Sequence, residues 1–332
     1  MPAITTGGTY AFNQTAVEIV SFAYRKCQVI GEEETATGFQ LEEGLDTLNA
    51  MAKGWQASQI HLWCEEECIL FPQAAQSVYQ VGPGSPDHAC LWDQLIQGAL
   101  AVTAVTGAGT VTLQSAAGIV SGDTFGIQLD AGINFWTTVN GAPVGNVVTL
   151  ASALPSSAAA DAITFDYSVP LMRPLRVPGA RRYIYASKIE TPMLMLARLQ
   201  YQNLPNKYTS GVITQAFFDP QTGQGQYAAS VAQLNLWPNP SDFTSGVRFT
   251  AQRPIQDFQT LADIPDFPVE WLPALKWNLA LELGPSYGVP AEQMGIIEKR
   301  AGYWLGLVQA WDREPESIRF GVAMAPGYAV GG

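Results

Sequence analysis

Apolar residues recur at three- and four-residue steps in four stretches of this chain. Elsewhere they alternate or come in short runs. The clearest helical stretch is Asp266 to Tyr287, where Phe267, Trp271, Leu272, Leu275, Leu279 and Leu283 share one face. Pro268 suits a helix start, and Gly284-Pro285 stops it. Pro290 to Trp311 repeats the pattern with Met294, Ile297, Ala301, Trp304, Val308 and Trp311 on one side. The short Gly/Pro connection predicts an antiparallel helical hairpin. Near the N-terminus, Thr15 to Cys27 carries Ile19, Phe22, Ala23 and Cys27, and Thr37 to Trp55 carries Leu41, Leu45, Leu48, Met51, Ala52 and Trp55. Thr15 with Glu18 and Thr37 with Gln40 have capping-box spacing. The two terminal pairs are expected to pack on each other.

Between them the pattern changes. Leu62 to Phe71 and Val78 to Val81 read as strands with a turn near Gln73. From about Cys90 to Tyr167 charge nearly vanishes, and TVTLQ, DTFGIQLD, INFWTTV, NVVTL and AITFDY read as strands. Asp130-Ala131-Gly132 and Asn140-Gly141 supply turn chemistry. Pro192 to Leu199 reads as one short helix, and further strands follow around FFD, LNLW and VRFTAQ. The expected class is α+β: an antiparallel helix bundle as host, with peripheral strands and an inserted small all-β barrel or sandwich. Residues 1–89 and 167–312 form the discontinuous host, 90–166 the insert and 313–332 an extended arm.

Charge narrows the function. Lys plus Arg number 17 and Asp plus Glu 29 in 332 residues, a formal net charge of −12. That excludes the broad basic footprint of a protein that grips phosphate. Charged residues make up only 14%, against a usual share of about 25%. So much uncharged surface points to burial in an assembly. The opening MPAITTGGTY lacks the basic and apolar regions of a secretion signal, and no run approaches a membrane span of about 18 apolar residues. Cys27, Cys64, Cys68 and Cys90 form no CxxC pair and read as reduced thiols.

Constellations with the residue types for chemistry fare poorly. Cys64, Cys68, His61 and His88 lack the spacing of a structural zinc site, so packed thiols are the better reading. The Glu65–Glu67 run fits a solvated edge or a subunit contact better than a cation site. Asp87-His88 with a serine lacks a nucleophile elbow, and Gly107-Ala108-Gly109 lacks the lysine and helix of a phosphate loop. No catalytic residue, metal or cofactor is expected. Arg173, Arg176, Arg181 and Arg182 are the densest positive cluster, and read as a contact with DNA or a neighbouring subunit, or as intrachain pairs. Trp271, Trp277, Trp304 and Trp311 read as core and interface anchors.

Several segments together resemble a known family. AVEIVSFAYRKCQVIGEEETATGFQLEEGLDTLNAMAKGW looks like the start of the phage head-to-tail adaptor proteins, also called packaged-DNA stabilisation proteins or tail accessory factors. SVYQVGPG, MRPLRVPGAR, LARLQYQNLPNK, FFDPQ, LNLWPNP, RPIQDF and DFPVEWLPALKWNLALELGPSYGV fit the longer members in order. The resemblance covers most of the chain outside about 90–166. It implies a structural virion protein of the neck or tail, assembled in the host cytoplasm: a homo-oligomeric ring, commonly of twelve copies, beneath the portal protein. Packaged double-stranded DNA passes such a ring without sequence-specific binding, and tail tube, nozzle or fibre proteins dock below it. It also implies a C-terminal arm on the portal, with Ile318, Arg319, Phe320, Met324 and Tyr328 as its contacts. Twelve copies at −12 each give about −144, which suits a conduit that must release phosphate. The alternative is a tail or fibre-docking, carbohydrate-binding attachment protein acting through the insert, with Phe135 and Trp136 as contacts. A cell-wall hydrolase is the weakest reading, because no convincing acid/base pair presents itself.

Overall fold

The structure, a computed structural model, describes residues 12–58, 62–220 and 231–312. The described chain opens with helices α1 (Ala16–Lys26) and α2 (Gly38–Ser58), then strands β1 (Glu65–Leu70), β2 (Val78–Val81) and β3 (Ala89–Leu91). Six short strands follow: β4 (Ile96–Ala99), β5 (Thr110–Thr112), β6 (Thr124–Gln128), β7 (Asn134–Thr138), β8 (Val147–Thr149) and β9 (Ile163–Tyr167). Next come β10 (Arg176–Ile184), β11 (Ile189–Met195), α3 (Arg198–Gln202), β12 (Ser210–Gly211) and β13 (Gln215–Asp219). The described chain ends with β14 (Ala232–Trp237), β15 (Asn239–Pro240), β16 (Ser245–Gln252), α4 (Leu272–Leu283) and α5 (Ala291–Trp311). It divides into two compact units: residues up to Trp63 together with those from Gln256 on, and Cys64–Ile255. The expected breaks near 89 and 167 both lie inside the second unit.

The first unit is helical, and its caps are visible. Thr37 N–H donates to Gln40 Oε1 at 2.8 Å, and Gln40 N–H donates to Thr37 Oγ1 at 3.4 Å, so two free donors at the start of α2 are satisfied reciprocally. At α1 the Thr15 N–H donates to Glu18 Oε2 at 3.0 Å. Helices α1 and α2 run antiparallel: Tyr24 Oη donates to Gln40 O at 2.9 Å, and Val20 meets Gly44. Glycine is required at 44, because a Cβ there would sit 2.4 Å from Val20 Cγ1. The core gathers Ile19, Val20, Ala23, Leu48, Leu275, Leu279, Leu283 and Ile297. Each such side chain, fully buried, contributes roughly 1.5–3 kcal/mol. Helix α4 ends at Leu283, and a 3-10 turn then reaches Gly288, whose φ of 65° is left-handed and turns the chain into α5. Asn278 Nδ2 bridges the two helices, donating to Ala274 O at 2.9 Å and Ala301 O at 3.3 Å.

The second unit overturns the expected helix-bundle host. The described chain is mostly β, and helices hold only 28% of it. Eight strands form one nearly closed, barrel-like sheet in the order β2-β14-β13-β11-β10-β16-β1-β3. Both edge strands feed the same core: Tyr79 and Val81 of β2 and Ala89 of β3 join Leu70, Ala180, Leu234, Leu236, Val247 and Phe249. A flat sheet would not bring its two edges to one cluster. β1 and β2 are close in sequence but lie at or beside opposite edges of the sheet. The helix expected over Pro192–Leu199 is instead the end of β11, with α3 beginning only at Arg198. Met193 pairs with Ala180 on one side and Leu194 with Gln215 on the other, so ladders on both flanks override local preference.

The strands of 90–166 keep a core of their own. A four-stranded sheet, β4-β9-β6-β7, and the pair β5-β8 enclose Leu100, Val111, Leu113, Phe125, Ile127, Val139, Val148 and Leu150. A second cluster fastens this part to the outer face of the large sheet. Ile69, Phe71, Tyr183 and Tyr185 meet Phe165 and Tyr167 there, with Trp136 partly buried beside them.

Candidate functional site

The four arginines do not form one patch. Arg181 and Arg182 are neighbours on β10, so their side chains leave opposite faces of the sheet. Arg181 lies directly opposite Arg248 of β16. Two carboxylates hold this like-charged pair together. Glu67 pairs with Arg181 and, at 3.0 Å, with Arg248 Nε; Glu190 pairs with Arg181 Nε at 3.1 Å and Arg248 Nη1 at 2.6 Å. Thr250 Oγ1 donates to Glu67 Oε1 at 2.6 Å, and the Arg248 guanidinium lies 4.3 Å from the Trp92 ring centre. Burial acts to raise the Glu67 pKa, but the Thr250 hydroxyl and the two arginines outweigh it and hold the carboxylate below its usual range. Glu65–Glu67 pair with β16 on one side only, because β3 reaches no further than Cys68, and Glu66 pairs with Arg253 at 3.0 Å. Arg173 donates to Pro220 O at 3.1 Å, and Arg176 is exposed beside a bulge in β10. Arg182 lines a cavity of about 80 Å³ with Asp242.

Phe135 and Trp136 are turned into the protein. Phe135 packs on the core of the 90–166 strands. The Trp136 ring stacks on His88 at 4.1 Å between ring centres and lies over Gly126, where a Cβ would come within 2.6 Å of it. His88 Nδ1 is 2.9 Å from Tyr167 Oη, and burial pulls the imidazole pKa down to about 4. The Asp87 carboxylate accepts instead from Gln76 Nε2 and Gln80 N–H, both at 2.7 Å. Ser85 Oγ donates to Gln80 O and Asp87 O, so Ser85, Asp87 and His88 do not line up as a nucleophilic relay.

Cys27, Cys64, Cys68 and Cys90 are buried free thiols, and among the described residues no three His, Cys, Asp or Glu side chains gather as metal ligands. His61 and the arm residues Ile318, Arg319, Phe320, Met324 and Tyr328 lie outside the described residues. Among the described helices none is long and apolar enough to cross a membrane.

Two surfaces of the helical unit went unread in the sequence. Helix α5 buries Ile297, Ala301 and Val308, yet an adjoining side carries Ile296, Tyr303, Leu307 and Trp311, which are 49%, 58%, 50% and 58% exposed. The spacing of that second row was visible, but Trp311 was assigned to the buried stripe. The other surface lies where α1 meets α4. Phe22 and Trp277 meet edge to face at 5.6 Å. Lys26 Nζ lies 5.2 Å from the Phe22 ring centre and 5.9 Å from that of Trp277, and Lys276 Nζ lies 5.0 Å from Phe22. Arg25 and Lys26 border an adjoining depression of about 670 Å³. Arg25, Lys26 and Lys276 make no ion pair among the described residues.

Comparison with protein-family models and with curated proteins finds no match to this chain.

Proposed function

We propose that this protein is a structural component of a phage virion, a head-to-tail adaptor that closes into a ring between portal and tail and lets packaged DNA pass. The observation that carries the reading is the outer face of α5. A 21-residue helix that is apolar on two sides has one side to bury against its own unit and one left for a neighbour. Its occupant in this reading is a second copy of the chain. The segments resembling adaptor proteins at the two ends of the sequence also supply α1, α2 and α4 of a single helical unit, and α5 follows directly. Ring closure follows from repeating one head-to-tail contact around an axis. The residues after Arg313 reach the portal, and the strands of 90–166 project outward.

The test is a paired substitution, Leu307→Asp with Trp311→Asp. The variant should keep its helical signal and melting temperature but fail to enter rings on the portal. Rings of unchanged copy number would remove the support drawn from α5. Truncation after Arg313 should leave the fold intact and abolish portal binding.

A further inference from the structure

Arg182 stands apart from the other arginines of the large sheet. Val247, its partner across the β10–β16 ladder, is wholly buried among the core residues of that sheet. Residues directly opposite in a ladder share a face, so Arg182 leaves the core side. It does so at the end of the barrel-like sheet, where β10 stops at Ile184 and β16 begins at Ser245. There it lines the cavity of about 80 Å³ with Ile184, Val212, Ile213 and Asp242. Its guanidinium has no hydrogen bond or ion pair among the described residues, and its Nε is buried with no acceptor. A buried donor left so is costly, and native structures supply a partner. Glu190 is engaged with Arg181 and Arg248 on the opposite face. Asp242 accepts within its own turn, from Thr244 Oγ1 at 2.6 Å, Thr244 N–H at 2.9 Å and Ser241 Oγ at 3.3 Å. The Thr244 hydroxyl above all holds the Asp242 pKa below its usual range, so this carboxylate is ionised at neutral pH. Two opposite charges thus line one cavity and make no ion pair with each other.

A group seated between them has to accept from a guanidinium at one end and donate to a carboxylate at the other. Charge-assisted bonds favour a ligand charged at both ends. The two walls sum to zero charge, so a net-neutral ligand meets no repulsion. A lone carboxylate, free or on a protein side chain, would sit against Asp242 and be repelled. A water needs roughly 15 Å³ of such space, so the cavity holds about five groups of that size. That admits a carboxylate and an ammonium on one carbon and little more. The ends of β-barrels are common places for such sites. We infer that this end of the sheet binds a small free α-amino acid, of the size of glycine or alanine, with its carboxylate on Arg182 and its ammonium on Asp242. The site lies within the strands and does not depend on the ring reading.

The experiment is a titration of the full-length protein with glycine and with alanine, followed by ligand-observed NMR. Saturable binding is expected. Acetate and methylamine each carry one of the two charges, and each should bind roughly tenfold more weakly or worse. Arg182→Gln and Asp242→Asn should each weaken glycine binding by a similar factor, with circular dichroism and melting temperature near those of wild type. Arg182→Gln removes a group that nothing else in the fold holds, so it decides the matter alone if Asp242→Asn loosens its turn and melts early. Wild type that binds neither glycine nor alanine would overturn the inference and leave the cavity to water. Acetate binding as tightly as glycine would overturn it too, and so would an Arg182→Gln variant that binds like wild type. None of these outcomes bears on the ring reading, which stands on α5.

Discussion

Asp166 lies beside Asp123 inside the 90–166 strands, with both carboxyl groups almost wholly out of water. Asp123 has a donor, the Val120 N–H at 2.7 Å, whereas neither oxygen of Asp166 has one. Burial first, and then the Asp123 charge, pushes the Asp166 pKa from 3.8 up to about 8. The folded protein therefore keeps a proton that the unfolded chain gives up. Stability from this group is fully present below about pH 4 and is lost as the pH rises through about 8. Asp166→Asn should flatten that part of the stability curve. Denaturant midpoints of wild type and variant across this range check it, and parallel curves would show that the pair does not titrate.

The Glu67 bridge makes a second prediction. Arg181 and Arg248 face each other across two strands, and like charges so placed repel. Glu67→Gln keeps the shape and removes the charge between them. About a third of the Glu67 side chain is exposed, so the loss should be modest, roughly 1 kcal/mol. A double cycle with Arg181→Gln should give a coupling energy well above zero; additive effects would mean that the bridge is idle.

Gly126 makes a third. An added methyl would meet the Trp136 indole at 2.6 Å, and that ring already carries the His88 stack. Gly126→Ala should cost about 1–3 kcal/mol by overpacking. Thermal melts measure it, with Trp136 fluorescence reporting the displaced ring. An unchanged melting temperature would mean that the indole yields freely.

Much of the local structure was legible, because it is written in nearby residues. The stripes of α2 and α4, that of α1 apart from Phe22, the Thr37–Gln40 cap and all five strand runs between 110 and 167 appear where periodicity and turn residues put them. The large sheet was not legible, because its pairings span the chain. Glu67 finds Thr250, and Val78 finds Asn235. No local pattern announces such partners, so weight fell on the helices and the host was read as a bundle. β10 was missed for a nearer reason: Pro178 and Gly179 interrupt its alternation at the bulge, and two adjacent arginines disguise the rest. The arginines do not gather into one patch, because neighbours in sequence leave opposite faces of a strand. The two faces of the helical unit were hidden differently. Which side of α1 and α2 is free depends on where Val20 meets Gly44, and that contact is tertiary.

The most direct measurement is the mass of the full chain, alone and mixed with the portal. The polypeptide is 35.8 kDa. The ring reading predicts that the portal gains many copies in a fixed ratio, and that Leu307→Asp with Trp311→Asp abolishes the gain. A portal of unchanged mass beside free 35.8 kDa chains would contradict it.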